Sequence, residues 1–292
     1  RIREYPTRYI ADSAIELLKS YEEDDGQPWF LYVAPFAPHY PWVPAARYKD
    51  APVPPWNGPP PVSRAELRSK PAWVRDSGIP TERTDKARNH QLRTLMSVDD
   101  LVDRVLGEVD DLDETRDTIV FYLSDNGYHW GEHGLGEKSS PYIDSVAVPF
   151  FARWPGRFPA GETDARLVAN IDIVPTVLEA TGIPPAGPEH MDGISLLGDD
   201  KREALLLEHW KEAELNLKVP SWRSIITADE QYIRTYGVDG TREELYDLTA
   251  DPGEVRNLAR DHAYLTSLRR LRRGLQAAMY CRGAGCLRAG RL

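Results

Sequence analysis

"TIVFYLSDNGYHWGEHGLGEK", residues 118–138, joins a short apolar run to a glycine-rich loop loaded with polar side chains. A continuous run such as "TIVFYL", bounded by turn residues, reads as a strand buried on both faces, as in a parallel sheet. In open α/β sheets, ligands bind beyond the carboxyl ends of the strands. Asp125 and Asn126 fall at that position. Two oxygen donors there suit a hard cation, calcium or magnesium, rather than zinc. Asp-Asn-Gly is equally a common turn at a strand end, and the three residues alone leave both readings open.

The rest of the loop adds two histidines and a lysine. His129-Trp130-Gly131-Glu132-His133 fits H-x-x-E-H, the inverted zinc-protease pattern, which needs a helix to put both histidines on one face. Glycine at positions 127, 131, 134 and 136 disfavours a helix, so the segment reads as a loop. Lys138 is a cation that could hold an anionic group bound to the same ion, or an ordinary surface lysine. His39, in "APHYP", follows a second buried-strand run, "WFLYVA" (residues 29–34). A histidine there is a candidate proton donor or anion ligand, although a lone one is more often structural.

Working outward, residues 7–21 carry Ile10, Ala14, Ile15, Leu17 and Leu18 at helical spacing. Residues 35–61 are dense in proline and predict an ordered surface loop carrying Trp42 and Trp56. A second helix is predicted over 91–112, a third strand at "VPFFARW" (148–154), and a helix in "NIDIVPTVLEATG" closing at Gly182. Strands alternating with helices imply an α/β fold with a mostly parallel sheet and flanking helices. After residue 200 the texture changes to short strand-like runs ending in a helix over 263–279. The expected division is therefore 1–200, the α/β domain, and 201–292, a smaller antiparallel sheet with one helix. The basic run "RRLRR" reads as the solvated face of that helix.

Composition excludes several classes. The 292 residues are 41% hydrophobic and long enough for a sizeable core. No apolar run approaches the roughly 20 residues of a membrane helix. A net charge of −10 without an extended basic patch argues against nucleic acid as a partner. Cys281 and Cys286 are equally compatible with a local disulfide and with two free thiols.

Taken together, "FLYVAPFAPHYPWVPAARY", "SDNGYHWGEHGLGEKSSPYIDSVAVPFFARWPG", "DIVPTVLEATGIPP…MDGISL" and "ELYDLTADPGEVRNLA" resemble, in order, segments of the sulfatase family within the alkaline-phosphatase-like superfamily. The similarity runs from about residue 5 to residue 279 and is nearest in flavour to arylsulfatases and N-acetylglucosamine-6-sulfatases. The resemblance implies that Asp125 and Asn126 are ligands of one calcium ion, with magnesium as the alternative. It implies that Lys138 and His39 bind the sulfate and act as catalytic residues, either one assisting departure of the alcohol. His129 is a further candidate to line the substrate pocket. The substrate implied is a sulfated sugar or aryl sulfate, and the location is secreted or periplasmic.

One departure from the family matters. Its nucleophile is a formylglycine made from Cys or Ser in C/S-x-P-x-R, accompanied by two further aspartate metal ligands near the first strand. No cysteine or serine here sits in that motif. The resemblance is therefore to the C-terminal portion of the fold, and the nucleophile is expected outside these residues. The chain alone is expected to be inactive, to bind calcium weakly and to carry an exposed sheet edge. Two alternatives stand beside this reading. One is a phosphatase or phosphodiesterase of the same superfamily. The other is a non-catalytic carbohydrate-binding remnant that stacks sugars on Trp42, Trp56 and Trp130.

Overall fold

A computed structural model of the chain describes residues 4–24, 26–58, 64–78, 81–184, 191–211, 219–237 and 240–289. In chain order the elements are α1 (Pro6–Glu22), α2 (Arg64–Ser69), α3 (Ala72–Arg75), α4 (Thr81–Asp111), β1 (Val120–Leu123), β2 (His129–Trp130), β3 (Gly136–Glu137), α5 (Ile143–Val146), β4 (Phe150–Arg153), α6 (Ile173–Ala180), β5 (Leu205–His209), β6 (Ser221–Ile226), β7 (Glu230–Gly237), β8 (Gly240–Asp247), α7 (Leu265–Ala278) and α8 (Ala284–Ala289). They form two compact units. The first comprises Arg1–Pro59, Ile79–Leu123 and Phe150–Ala160; the second comprises Pro60–Gly78, Ser124–Pro149 and Gly161–Leu292.

In the first unit, α1 opens with Pro6, whose fixed φ and missing N–H cost nothing in the first turn. The buried face is Thr7, Ala11, Ala14 and Leu18, at spacings of four, three and four. Leu17 is 41% exposed, so the stripe is rotated from the sequence expectation toward the small residues. That face packs on α4, which buries Thr94, Val98, Leu101 and Val109. The Thr94 hydroxyl donates to the Gln91 carbonyl one turn back, at 2.7 Å, which lets a polar residue sit in the stripe. α4 begins ten residues before the expected start at 91. Its first turns, "TERTDKARNH", carry too few apolar residues for periodicity to register.

β1 and β4 pair antiparallel, from Val120 opposite Arg153 to Leu123 opposite Phe150. Residues 29–34 are extended but join no ladder among the described residues. Trp29, Leu31 and Val33 are half-buried, while Phe30 and Tyr32 are 73% and 79% exposed. This corrects the expectation of a strand buried on both faces. Burial of a strand comes from neighbours on each side, and only one side is covered here. Every ladder among the described residues is antiparallel. The end of the proline-rich stretch, 59–61, lies outside the described residues.

In the second unit, β5, β6, β7 and β8 form an antiparallel meander in sequence order. Its inner face sets Ile225, Tyr232 and Leu245 against Leu268, Leu271 and Leu275 of α7. The three leucines recur at helical spacing, and burial stabilises by about 1.5–3 kcal/mol each. The arginines of "RRLRR" take the outer face, where Arg270 and Arg272 pair with Glu230 and Glu243. This is the expected sheet with one helix.

A second anchor explains "DIVPTVLEATG" and "MDGISL". Asp172 is fully buried and accepts both arms of the Arg202 guanidinium, at 2.8 and 2.5 Å, plus the Ala169 and Ile194 N–H groups. A Cβ on Gly193 would lie 2.0 Å from the Ile171 carbonyl oxygen, so that approach requires glycine. Cys281 and Cys286 are joined in a disulfide, which settles the choice the sequence left open.

Candidate active site

The loop after β1 is fixed from its backbone outward. The Gly127 N–H donates to the Ser145 carbonyl at 2.9 Å, and a Cβ on Gly127 would meet the Asp144 carbonyl oxygen at 2.2 Å. Gly127 thus lies directly against the α5 backbone. β2 then pairs with β3 in a short hairpin, His129 opposite Glu137. His133 (φ +55°) and Gly134 (φ +72°), both left-handed, turn the chain within it.

The hairpin returns Lys138 to Asn126. The Asn126 side-chain amide donates to the Gly127 carbonyl at 2.8 Å, which orients the amide, and its Oδ1 accepts from Lys138 Nζ at 2.8 Å. Asp125 is exposed beside it, with no ion-pair partner within 4.0 Å among the described residues. The donors available are one carboxylate and one amide oxygen that already faces a cation. In type they fit a hard divalent ion.

His39 belongs to the first unit and is exposed. Its Nδ1–H donates to the Tyr40 carbonyl at 2.7 Å, which leaves Nε2 for a ligand. Asp125, Asn126, His129 and Lys138 all belong to the second unit. Within it, Asn126 and Lys138 touch, whereas His129 is completely buried with its Nε2 2.6 Å from Ser140 Oγ.

Below the loop lies a charged core that sequence reading missed. Lys70 is buried, and its Nζ donates to the Tyr246 hydroxyl at 2.8 Å and to the Glu254 carbonyl. It also sits 4.0 Å from the centre of the Tyr142 ring, a cation–π contact. Glu244 accepts from the Tyr142 and Tyr246 hydroxyls at 2.9 and 2.6 Å, and Glu254 accepts from the Ile143 N–H at 2.6 Å. Burial pushes Lys70 down to about 8 and Glu254 up to about 8. Burial, then the Lys70 charge, lowers His129 to about 4 and His133 to about 2, so both rings are neutral at pH 7. Burial likewise raises the carboxyls of Glu132 and Asp144.

Comparison with solved structures defines the class first. The chain superposes on the structure of BT4656 in complex with its substrate D-glucosamine-2-N,6-O-disulfate with a TM-score of 0.80. Identity is 22%, over 93% of this chain and 69% of that one. The phosphonate monoester hydrolase of Agrobacterium radiobacter gives a TM-score of 0.77 at 23% identity, over 98% of this chain and 61% of that one. The fold is α/β and alkaline-phosphatase-like.

Sequence comparison then gives the family. Residues 2–183 match the sulfatase family, and residues 131–280 match N-sulphoglucosamine sulphohydrolase, C-terminal. The chain belongs to the sulfatase family. It is 28% identical to an arylsulfatase of Volvox carteri over 97% of this chain and 52% of that protein. It is 29% identical to human N-acetylglucosamine-6-sulfatase over 88% of this chain and 53% of that protein. The chain thus spans about half the length of these curated relatives.

Proposed function

We propose that the chain supplies part of the active site of a sulfuric ester hydrolase acting on sulfated sugars or aryl sulfates. The observation that carries this reading is the 2.8 Å contact of Lys138 Nζ with Asn126 Oδ1, at the end of β1, in a chain of the sulfatase family. Asp125 and Asn126 would hold one calcium ion, with magnesium able to substitute. When bound, such an ion would supply charge neutralisation for the transferring group. Asn126 Oδ1, which now accepts from Lys138 Nζ, would be one of the atoms that hold the ion, and Lys138 would bind the sulfate. The family resemblance adds His39 to this reading: it would bind the sulfate, and either it or Lys138 would donate a proton to the departing alcohol. His129, which is buried, sits on the inner side of this loop.

No C/S-x-P-x-R motif occurs in the sequence, and both cysteines are held in a disulfide. We therefore place the formylglycine nucleophile outside these 292 residues and expect no turnover from the chain alone. In this reading residues 1–200 belong to the catalytic α/β domain and 201–292 form the C-terminal subdomain. A secreted or periplasmic location is supported by 34% identity, over 66% of this chain, to the extracellular sulfatase SULF-1 homolog of Drosophila melanogaster, and by the disulfide.

The test is an assay of the complete reading frame on an aryl sulfate and on 6-sulfated glucosamine, with calcium and with chelator. The expected result is calcium-dependent sulfate release, reduced about 10²-fold or more by Lys138→Ala or His39→Ala. Faster hydrolysis of an aryl phosphonate ester than of the aryl sulfate would move the reading to phosphoryl transfer. Sugar binding without turnover would move it to a carbohydrate-binding protein using Trp42, Trp56 or Trp130.

A further inference from the structure

The loop that presents Asn126 and Lys138 has an inner side with different chemistry. We propose that His129, Glu132 and Asp144 form a second cation site there, one that takes a borderline divalent ion, zinc, and locks the loop onto α5. His129 Nδ1 lies 3.9 Å from Glu132 Oε2 and 4.0 Å from Asp144 Oδ2. All three ligand atoms fall within 4.8 Å of one another. Zinc bonds of about 2.0–2.2 Å place tetrahedral neighbours roughly 3.4 Å apart. The two pairs that include His129 Nδ1 therefore need to close by about half an ångström, and the Glu132–Asp144 pair by at most about 1.4 Å.

The independent observation is the state of the His129 ring. It is 0% exposed, and its Nδ1 is buried without a hydrogen-bond partner. The other nitrogen is held by Ser140 Oγ at 2.6 Å. If Nε2–H donates to Ser140, the buried Nδ1 lone pair faces the carboxylates of Glu132 and Asp144, three electron-rich groups with no hydrogen-bond donor to Nδ1. If the proton sits on Nδ1 instead, no acceptor lies within hydrogen-bonding distance. A metal ion satisfies the nitrogen and both oxygens at once. Ser140 then plays the part of the oxygen that orients a ligating imidazole through its far nitrogen.

The site is also held in place. Glu132 Oε2 accepts the Trp130 N–H at 2.6 Å and keeps a lone pair for an ion. Asp144 is set by the close approach of Gly127 to its carbonyl oxygen. One imidazole and two carboxylates leave a coordination position for water and favour zinc over calcium, which prefers six or more oxygens. His129 and Glu132 are also two of the three residues of the H-x-x-E-H pattern. A two-residue strand and a 3₁₀ turn bring them together where a helix would otherwise be required.

The test is calorimetric titration of the tag-free full chain with zinc, alongside thermal denaturation with and without the ion. The expected result is one zinc per chain and a raised melting midpoint. Glu132→Gln and Asp144→Asn, which keep shape and hydrogen bonding, should each weaken affinity at least tenfold. Cobalt substitution should give a visible absorption band that both variants lose. Excess calcium should leave zinc bound. No saturable zinc binding, or binding and cobalt spectra unchanged in both variants, overturns the proposal. These readouts do not depend on sulfatase activity, so failure here is separable from failure of that reading.

Discussion

At the scale of single residues, the tightest constraint is Gly127. A methyl group there would sit 2.2 Å from the Asp144 carbonyl oxygen and 2.9 Å from that of Ala147. Backbone cannot yield as a side-chain end can, so Gly127→Ala should cost about 3 kcal/mol, read as a lower urea midpoint. His133 makes a different prediction. Its neutral ring packs 4.2 Å from Tyr142, and its value of about 2 lies far below that of a free histidine. Between pH 6.5 and 4 the unfolded chain binds protons that this folded ring refuses, as does His129. Stability therefore falls with falling pH, by up to about 1.4 kcal/mol per unit for each ring. Protonation of Glu132 and Asp144, whose carboxyls are raised, offsets part of the loss. His133→Phe keeps the stack at the strained φ of +55° and should cost about 1 kcal/mol at pH 7. Its melting midpoint should drop less steeply between pH 6.5 and 4, and an unchanged slope would refute this account. That Asn126 and Lys138 share one loop was legible because only twelve positions separate them; the roles given to them come from the resemblance. Asp144 was not, because nothing local marks a carboxylate that meets His129 only through a tertiary turn.

At the scale of elements, the second unit depends on polar pairs within its core. Lys70 follows directly after α2, yet its partners are the hydroxyl of Tyr246, on β8, and the backbone of Glu254. Replacing it with methionine leaves Glu244 and Glu254 buried without their cation. The expected cost of Lys70→Met is about 3–5 kcal/mol by chemical denaturation. A loss below about 1 kcal/mol would show that the tyrosine hydroxyls suffice for Glu244 and the Ile143 N–H for Glu254. Such a network could not be read in the sequence, because lysine and glutamate pattern as surface residues and the pairing spans more than 170 positions. The meander and α7 were legible because alternation and helical spacing are local signals. α4 was legible only where its apolar stripe begins, and residues 29–34 misled because an apolar run states affinity for burial, not which neighbours arrive.

At the scale of the whole molecule, the first unit carries large apolar side chains in water. Phe30, Tyr32, Phe36 and Phe151 are 58–79% exposed. Exposed apolar surface of this kind promotes association, and a net charge of −10 opposes it only away from the isoelectric point near 5.3. Light scattering of the full chain should rise with concentration and most steeply near pH 5. The Phe30→Ser, Tyr32→Ser double variant should suppress it, and no change would mean that another surface drives association.

The reach of Lys70 also has a consequence in time. A ribosome adds about 5–20 residues per second, so the 184 positions between Lys70 and Glu254 take roughly ten to forty seconds to appear. For that interval Lys70 exists without Glu254, and Tyr142, made later, waits 102 positions for Glu244. The second unit cannot close domain by domain as it emerges. The Lys70 network within it closes only after β8 and Glu254 have left the exit tunnel.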